Sequence, residues 1–280
     1  MPNLKGLKTE ILSVKNISKI TNAMQLVASA KLRKISKRVI DTHNYVSEVY
    51  SLFNDIISQA DKSVFLKESN FETKKTLWVV INSNLGLCGG YNSNVNKLVL
   101  QNLKPDDQIF AIGSKAVSFF KAKKITIKDQ ITNIDINFTN EKAKIISNDL
   151  LAMYINHEFD EIKIVYTKFI NNVTFEPAII RIFPIVKSEI NFSHKQKIIF
   201  EPDADQILNN TISIYINAII YGTIIESQVS EQASRRTAME NATNNGKNLE
   251  QTLSLKYNRQ RQGAITQEIS EIVSGANAQS

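Results

Sequence analysis

The sequence predicts an α/β protein of an uncommon plan: a long antiparallel α-helical coiled coil, formed by the N- and C-terminal helices, with an inserted Rossmann-like α/β domain. Three observations carry that reading. The five prolines are Pro2, Pro105, Pro177, Pro184 and Pro202, so residues 3–104 and 203–280 contain none, and glycine is sparse there. A proline costs a helix interior about 3 kcal/mol, so proline-free spans of this length point to helix. Both outer segments space their apolar residues by three and four, while the middle alternates strand-like and helical stretches. The expected organisation is an N-terminal coiled-coil helix in 1–60, an α/β domain in 74–190 and a C-terminal coiled-coil helix in 203–280.

In the first segment Leu4, Leu7, Ile11, Val14, Ile17, Ile20, Met24 and Val27 step by three or four, and Leu32, Ile35, Val39, Val46, Val49, Phe53 and Ile56 continue the stripe. The pattern predicts one amphipathic helix over about 3–59, roughly 85 Å long at 1.5 Å per residue. A stripe so long and narrow needs a coiled-coil partner. The last segment supplies it. From Asp203 the pattern is helical, through Ile207, Leu208, Ile212, Tyr215 and Ile219, then thins to Ser227, Ser230, Ala233, Ser234, Ala238 and Ala242, and ends with Leu249, Leu253, Ile265, Ile269 and Ile272. Small residues let two helices approach closely. Gly246, within ATNNGKN, is an expected point of bending or softness. The N-terminal helix starts near residue 3, so the last turns are expected to outrun it and to need cover from another protein.

Between them, KKTLWVVIN (74–82) reads as a buried strand, followed by the turn SNLGLCGGYN. A helix follows over Ser93–Leu103, with Asn92 or Ser93 as N-cap. DQIFAIG (107–113) is a strand and SKAVSFFKA a short helix. EKAKIISNDLLAMYINHEF (141–159) is an amphipathic helix; EIKIVYTKFI (161–170) and PAIIRIFPI (177–185) are strands. Strands alternating with helices predict a largely parallel, doubly wound sheet.

Composition narrows function. Apolar residues make up 42% of the chain and the mean hydropathy is −0.18. No run of 18 apolar residues predicts a membrane span, and MPNLKGLKTE lacks the apolar core of a signal peptide, so a cytosolic origin is expected. Cys88 is alone, which excludes an internal disulfide and a cysteine-based metal site. His43, His157 and His194 are far apart, and no metal or other cofactor is expected. The net charge of +7 is unevenly placed. Residues 1–45 hold nine Lys/Arg against Glu10 and Asp41, an excess equal to that of the whole chain. That end is expected to face something acidic.

Three stretches could carry chemistry. GLCGG (Gly86–Gly90) follows a strand and precedes a helix, where phosphates are often held. It lacks GxGxxG spacing, and no GxxxxGK[ST] exists in the chain, so a tight β–α turn is the plainer reading. KLRKISKR (Lys31–Arg38) could bind nucleic acid, but no aromatic residue interleaves it for base stacking. A solvated helix face, or a basic flank against an acidic protein surface, explains it as well. SQVSEQASRRTAMENATNN (Ser227–Asn245) is polar on most faces, as in a helix lying against other polar protein. Two alternatives thus stay open from residues alone: a nucleotide-binding α/β enzyme, and a basic coiled-coil nucleic-acid-binding protein.

The chain also resembles a known family. ITQEISEIVSGANA (Ile265–Ala278) and SEQASRRTAMENATNNGKNL upstream of it are similar to the C-terminal helix of the gamma subunit of F-type ATP synthases. VKNISKITNAMQLVASAKLRK (Val14–Lys34) resembles the family's N-terminal helix, GLCGGYN its central loop, and FEPD (Phe200–Asp203) the start of its C-terminal helix. The resemblance covers essentially the whole chain in order. One departure is clear: the family usually carries an Asp and a basic residue before GLCGG, where Asn84 and Leu85 stand here.

The resemblance implies a non-catalytic rotary shaft, one copy per complex, coupling proton flow through the membrane ring to ATP synthesis or hydrolysis at the beta subunits. The implied partners are the alpha and beta subunits, the epsilon subunit and the c-subunit ring, with no nucleic acid. The implied location is peripheral, on the cytoplasmic face of the bacterial plasma membrane. Residue by residue, it places Met24, Lys31, Arg33, Lys34, Arg261, Gln262 and Thr266 against the beta subunits. Ile265, Ile269, Ile272 and Val273 would form an apolar bearing tip, and Phe200 and Glu201 a foot on the c ring.

Overall fold

The computed structural model describes residues 4–68, 72–132, 134–171, 174–187 and 200–279. Two helices dominate: α1 (Leu4–Gln59), of 56 residues, and α5 (Ala204–Gln279), of 76 residues. Residue 3, residue 280 and the expected domain edge at 188–190 lie outside the described residues, as does His194. By its internal contacts the chain divides into two compact units, one of residues 1–28 with 235–280, the other of residues 29–234.

The larger unit holds β1 (Leu66–Lys67), β2 (Thr76–Ile81), α2 (Tyr91–Asn102), β3 (Gln108–Ile112), α3 (Ser114–Ala122), β4 (Ile127–Ile131), α4 (Asn140–Ile155), β5 (Glu161–Phe169), β6 (Phe175–Phe183) and β7 (Ile185–Val186). The main sheet has the order β4-β3-β2-β5-β6. Its first four strands are parallel; β6 runs antiparallel at the edge, pairing Tyr166 with Ala178 and Phe169 with Phe175. The central strand β2, TLWVVI, is buried at every position. A strand covered on both faces needs such a run. Its side chains alternate between two cores. Leu77, Val79 and Ile81 join the core containing Ile57, Leu150, Leu208 and Ile216, built with α1, α4 and α5. Trp78 and Val80 join Val95, Val99 and Phe120 under α2 and α3. The expected doubly wound sheet is therefore present, and the lower parts of both long helices form one of its layers.

Several expectations are corrected here. α2 starts at Tyr91, with Gly90 as N-cap and no side-chain capping bond. Asn92 instead turns back into the loop, accepting from the Ser83 amide at 2.9 Å and donating to Cys88 Sγ at 3.2 Å. α4 ends at Ile155 rather than 159, where Asn156 caps it and His157 takes a φ of 55°. Strand β4 was not expected. Its sequence IKDQI places three exposed polar residues between two half-buried isoleucines, as an edge strand can. Within α5 one 18-residue window reaches a mean hydropathy of 1.2, but 67% of it is buried within the protein, as befits a core helix.

The smaller unit pairs residues 4–28 of α1 with the last part of α5. In α1 Leu4, Leu7, Ile11, Val14, Ser18, Thr21, Gln25 and Ala28 are buried or half-buried in an unbroken three–four alternation, with Gly6 and Met24 half-buried beside it. In α5 the matching alternation is Met239, Thr243, Gly246, Glu250, Leu253, Tyr257, Gln260 and Ala264, with Ala242 and Ser254 half-buried beside it. Both are heptad seams of the coiled-coil kind. The register is fixed by contacts: the Thr21 and Thr243 hydroxyls lie 2.7 Å apart, Gly246 faces Ser18, and Lys15 Nζ lies 3.9 Å from Glu250. Stepped out antiparallel, that register sets Leu253 opposite Ile11 and Gln260 opposite Leu4.

This corrects two readings. The seam after Val14 runs through Ser18, Thr21, Gln25 and Ala28, while Ile17, Ile20 and Val27 are 57%, 59% and 55% exposed. Small side chains at the seam are what allow the helices to close. Gly246 is also no soft point: the helix passes through it unbroken, and a Cβ there would collide with the Ser18 hydroxyl. Glycine is required by close approach, not by bending.

Candidate functional site

In a doubly wound sheet, ligands bind in the crevice outside the carboxyl ends of the strands, where the strand order reverses. Here that point lies beyond β2 and β5, and α5 fills it. Ser227 Oγ accepts from the Thr167 amide at 3.4 Å, and Ser230 Oγ donates to the Thr167 carbonyl at 3.2 Å. Gln228 Nε2 donates to the Asp135 carbonyl at 2.6 Å, and Ser234 Oγ to the Cys88 carbonyl at 2.6 Å. The space left, bounded by Ile81, Asn82, Asn84, Tyr91, Ile224 and Gln228 among others, is only about 20 Å³. No nucleotide fits. The polar stretch Ser227–Ser234 is thus explained: it satisfies strand-end and loop carbonyls and amides that would otherwise be buried without partners.

The GLCGG loop is a turn. Leu87 and Gly89 take φ of 63° and 57°. Cys88 is 2% exposed, with Asn92 on its sulfur and Ser83 Oγ 3.7 Å away, so its thiol lacks the access of a nucleophile. The residue that departs from the family pattern has a structural task. Asn84 Oδ1 accepts from the Ser114 amide at the first turn of α3 at 3.1 Å, and Nδ2 donates to the Ile134 carbonyl at 2.8 Å. A carboxylate could make only the first of these bonds. Leu85 is 68% exposed.

Buried carboxylates at the opposite end of the sheet are also structural. Asp107 binds the Thr76 and Lys104 amides and the Trp78 indole, and Glu161 binds Arg181 and Lys163. Among the described residues, no group of three His, Cys, Asp or Glu is placed to hold a metal.

The expected contact residues fall on surfaces of the two units. In the larger unit, Lys31 and Arg33 are exposed, flanking the buried Leu32. Lys34 is exposed but donates to Asn137 Oδ1 at 3.1 Å. Arg38, in the same basic run, is committed to the fold: its guanidinium donates to the Ile136 and Phe138 carbonyls at 2.7 and 2.6 Å and to the Tyr221 hydroxyl at 3.1 Å. The run is thus partly an intrachain clamp, which weakens it as a nucleic-acid site. Phe200 is half-buried against the main core and Glu201 is exposed. In the smaller unit, Met24 is half-buried, beside the exposed Ile20 and Val27. Arg261, Gln262 and Thr266 are exposed. Ile265, Ile269, Ile272 and Val273 are 45%, 57%, 72% and 52% exposed, and nothing lies within 4 Å of where a Cβ on Gly263 or Gly275 would be.

One arrangement escaped sequence reasoning. Val39, His43, Val46, Tyr50, Tyr166, Ile180 and Glu226 help line a cavity of about 270 Å³ between α1, the β5–β6 edge and α5. Glu226 Oε1 accepts from the Phe169 amide at 3.0 Å. Burial pushes its carboxyl up, against the opposing pull of that amide, His43, Lys168 and Tyr166. Burial likewise raises the Tyr166 hydroxyl, with the Glu226 charge adding to it. The available signal was a lone carboxylate after the apolar run IIYGTII.

Comparison with known proteins completes the description. A family model described as ATP synthase matches residues 3–279. The ATP synthase gamma chain of Mycoplasma mycoides is 92% identical over 280 residues, covering 100% of both chains. Among solved structures, a chain in the central stalk/c-ring structure of the Tetrahymena thermophila mitochondrial ATP synthase has a TM-score of 0.60 at 25% identity, covering 80% of this chain and 99% of that one. A chain of the Euglena gracilis mitochondrial ATP synthase (OSCP/F1/c-ring, rotational state 3) reaches a TM-score of 0.73 at 19% identity, covering 98% and 94%.

Proposed function

The chain belongs to the gamma-chain family of ATP synthase, and on that premise we propose how its surfaces serve the central stalk of that machine. The stalk is a non-catalytic rotor element; ATP is made or hydrolysed on the beta subunits, while the stalk couples their turnover to proton flow through the membrane ring. Its partners are the alpha and beta subunits, the epsilon subunit and the c ring, and the complex is peripheral to the membrane. A rotor inside a threefold sleeve must meet three copies of each surface in turn, so deep interlocking would trap it. Its contacts must still differ around the axis, because only differential contact energy shifts each beta subunit's conformational equilibrium.

The residues suit that role. Lys31, Arg33 and Lys34 present a basic flank to the acidic moving lobes of the beta subunits. Met24, with the uncovered Ile20 and Val27, offers those lobes an apolar face, and Arg261, Gln262 and Thr266 meet the beta subunits at another level. Ile265, Ile269, Ile272 and Val273 form the bearing in the ring's apolar collar. Phe200 and Glu201 form the foot on the c ring, with Phe200 acting through its backing against the core. The working segments are 1–60, 74–190 and 203–280, held on the cytoplasmic face of the plasma membrane.

The observation that carries this reading is the uncovered stripe from Ile265 to Val273, a patterned helix beyond the reach of its intrachain partner. The test is a complex assembled with the chain ended after Ala264. We expect an intact sheet unit, weaker retention of the chain by the ring and reduced ATP-driven proton pumping. Unchanged retention and pumping would overturn the bearing assignment.

A further inference from the structure

The cavity beside Glu226 has no part in the rotor contacts above, and its chemistry is specific. Its aliphatic wall is contributed by Val39, Val46, Ile180, Ile219 and Ile225. Gly222 brings bare backbone to the place where α1 and α5 approach, and a Cβ there would come within 2.9 Å of Val46 Cγ2. At about 270 Å³ the space exceeds what one or two waters need and holds one small organic body. Among the described lining residues Glu226 is the only carboxylate and no Lys or Arg is present; His43 also lines the cavity, and it and Lys168, outside the lining, both act on Glu226. The carboxylate has about four lone-pair positions. One is used by the Phe169 amide, and the Tyr166 hydroxyl engages it as well. Tyr50 and Tyr166 add aromatic rings to the lining, and such rings can attract cations.

We propose that this cavity is a binding site for a lipophilic cation, a small primary or secondary ammonium with an aliphatic or aromatic body. The ammonium head pairs with Glu226 while the body replaces water along the aliphatic wall. A neutral ligand of the same shape gains only the second contribution, and an anion meets Glu226 unfavourably. This is the usual division of labour in small-molecule pockets, where apolar area gives binding and one polar group gives orientation. The proposal concerns the larger unit alone and does not depend on the rotor contacts.

The test uses the full-length chain with hexylammonium as probe, and hexan-1-ol and hexanoate as controls, read by calorimetry and saturation-transfer NMR. We expect hexylammonium to bind about tenfold more tightly than the alcohol, the worth of one charge-assisted hydrogen bond, and hexanoate not to bind. Glu226→Gln keeps the size of the side chain and an acceptor for the Phe169 amide. It should bring the ammonium down to the affinity of the alcohol and leave the alcohol unchanged. Ser47→Trp, at an exposed position on the cavity's rim, should abolish both without touching the core. Equal affinity for ammonium and alcohol, an ammonium affinity unaffected by Glu226→Gln, or no binding of any probe up to about 10 mM would each overturn the proposal.

Discussion

The two units use the same pair of helices to opposite ends. In the larger unit, α1 and α5 present Ile35, Ile57, Leu208, Ile212, Ile216 and Ile220, all at most 2% exposed, to a sheet and a third helix. In the smaller unit the same helices meet at mid-seam through Ser18, Thr21, Ala28, Thr243 and Gly246, flanked by Val14, Met239 and Leu253, while Ile17, Ile20 and Val27 point outward. The first is a hydrophobic core whose stability scales with buried area. The second includes a close stretch of small and polar groups, where Gly246 meets Ser18 and Thr21 meets Thr243. A folded platform must hold its geometry alone.

Four substitutions sharpen or break this contrast. Ile216→Ala, in the larger unit, should cost about 2–5 kcal/mol, measured by chemical denaturation of the full-length chain. A loss below that range would mean that this core is not what holds the platform. Gly246→Ala tests the close seam. In an open helix it would stabilise by up to about 1 kcal/mol. Here the added methyl meets the Ser18 hydroxyl, so we expect a loss of about 1–3 kcal/mol, seen as faster amide exchange across 235–255. Adding Ser18→Ala should restore the protection, because it removes the obstructing oxygen, which has no hydrogen-bond partner. Protection increased by Gly246→Ala alone would refute the close approach. Thr21→Val removes the hydroxyl 2.7 Å from Thr243 and should cost about 1 kcal/mol, with Thr21→Val/Thr243→Val costing less than the sum of the single changes. Strict additivity would deny that the two hydroxyls interact. Lys15→Ala breaks a 3.9 Å pair whose lysine is 54% exposed and should change stability by less than about 0.5 kcal/mol in the same exchange measurement. A larger effect would make charge, not close approach, the organiser of the seam.

Much of this was legible in the sequence. Missing prolines and three–four spacing gave both long helices to within a residue or two, and β2 and α3 were readable because their apolar patterns match what covers them. The seam was misread for a definite reason. Between residues 17 and 27 apolar periodicity and the buried face are not the same face: Ile17, Ile20 and Val27 form a real stripe, but it points out. Apolar pattern reveals where oil is wanted, not which protein provides it. β4 escaped because an edge strand can be mostly polar. The Glu226 cavity escaped because it is assembled from α1, β5, β6 and α5, with α1 more than a hundred residues before the other three. Of the candidate contact residues, those of the tip were expected to be uncovered, and Ile265, Ile269, Ile272 and Val273 are exposed among the described residues. The intrachain roles of Lys34 and Arg38 depend on loop carbonyls and amides that no local pattern announces.

The way α5 fills the sheet's crevice has a mechanical consequence. A helix seated only on isoleucines could turn about its own axis at little cost, since apolar contact is non-directional. Ser227, Gln228, Ser230 and Ser234 instead bind three different parts of the sheet domain, around Thr167, Asp135 and Cys88, within little more than two helical turns. Directional bonds from one short segment to several anchors fix its azimuth, as a spline fixes a shaft in a wheel. Any rotation of the sheet domain therefore carries this segment of α5 with it.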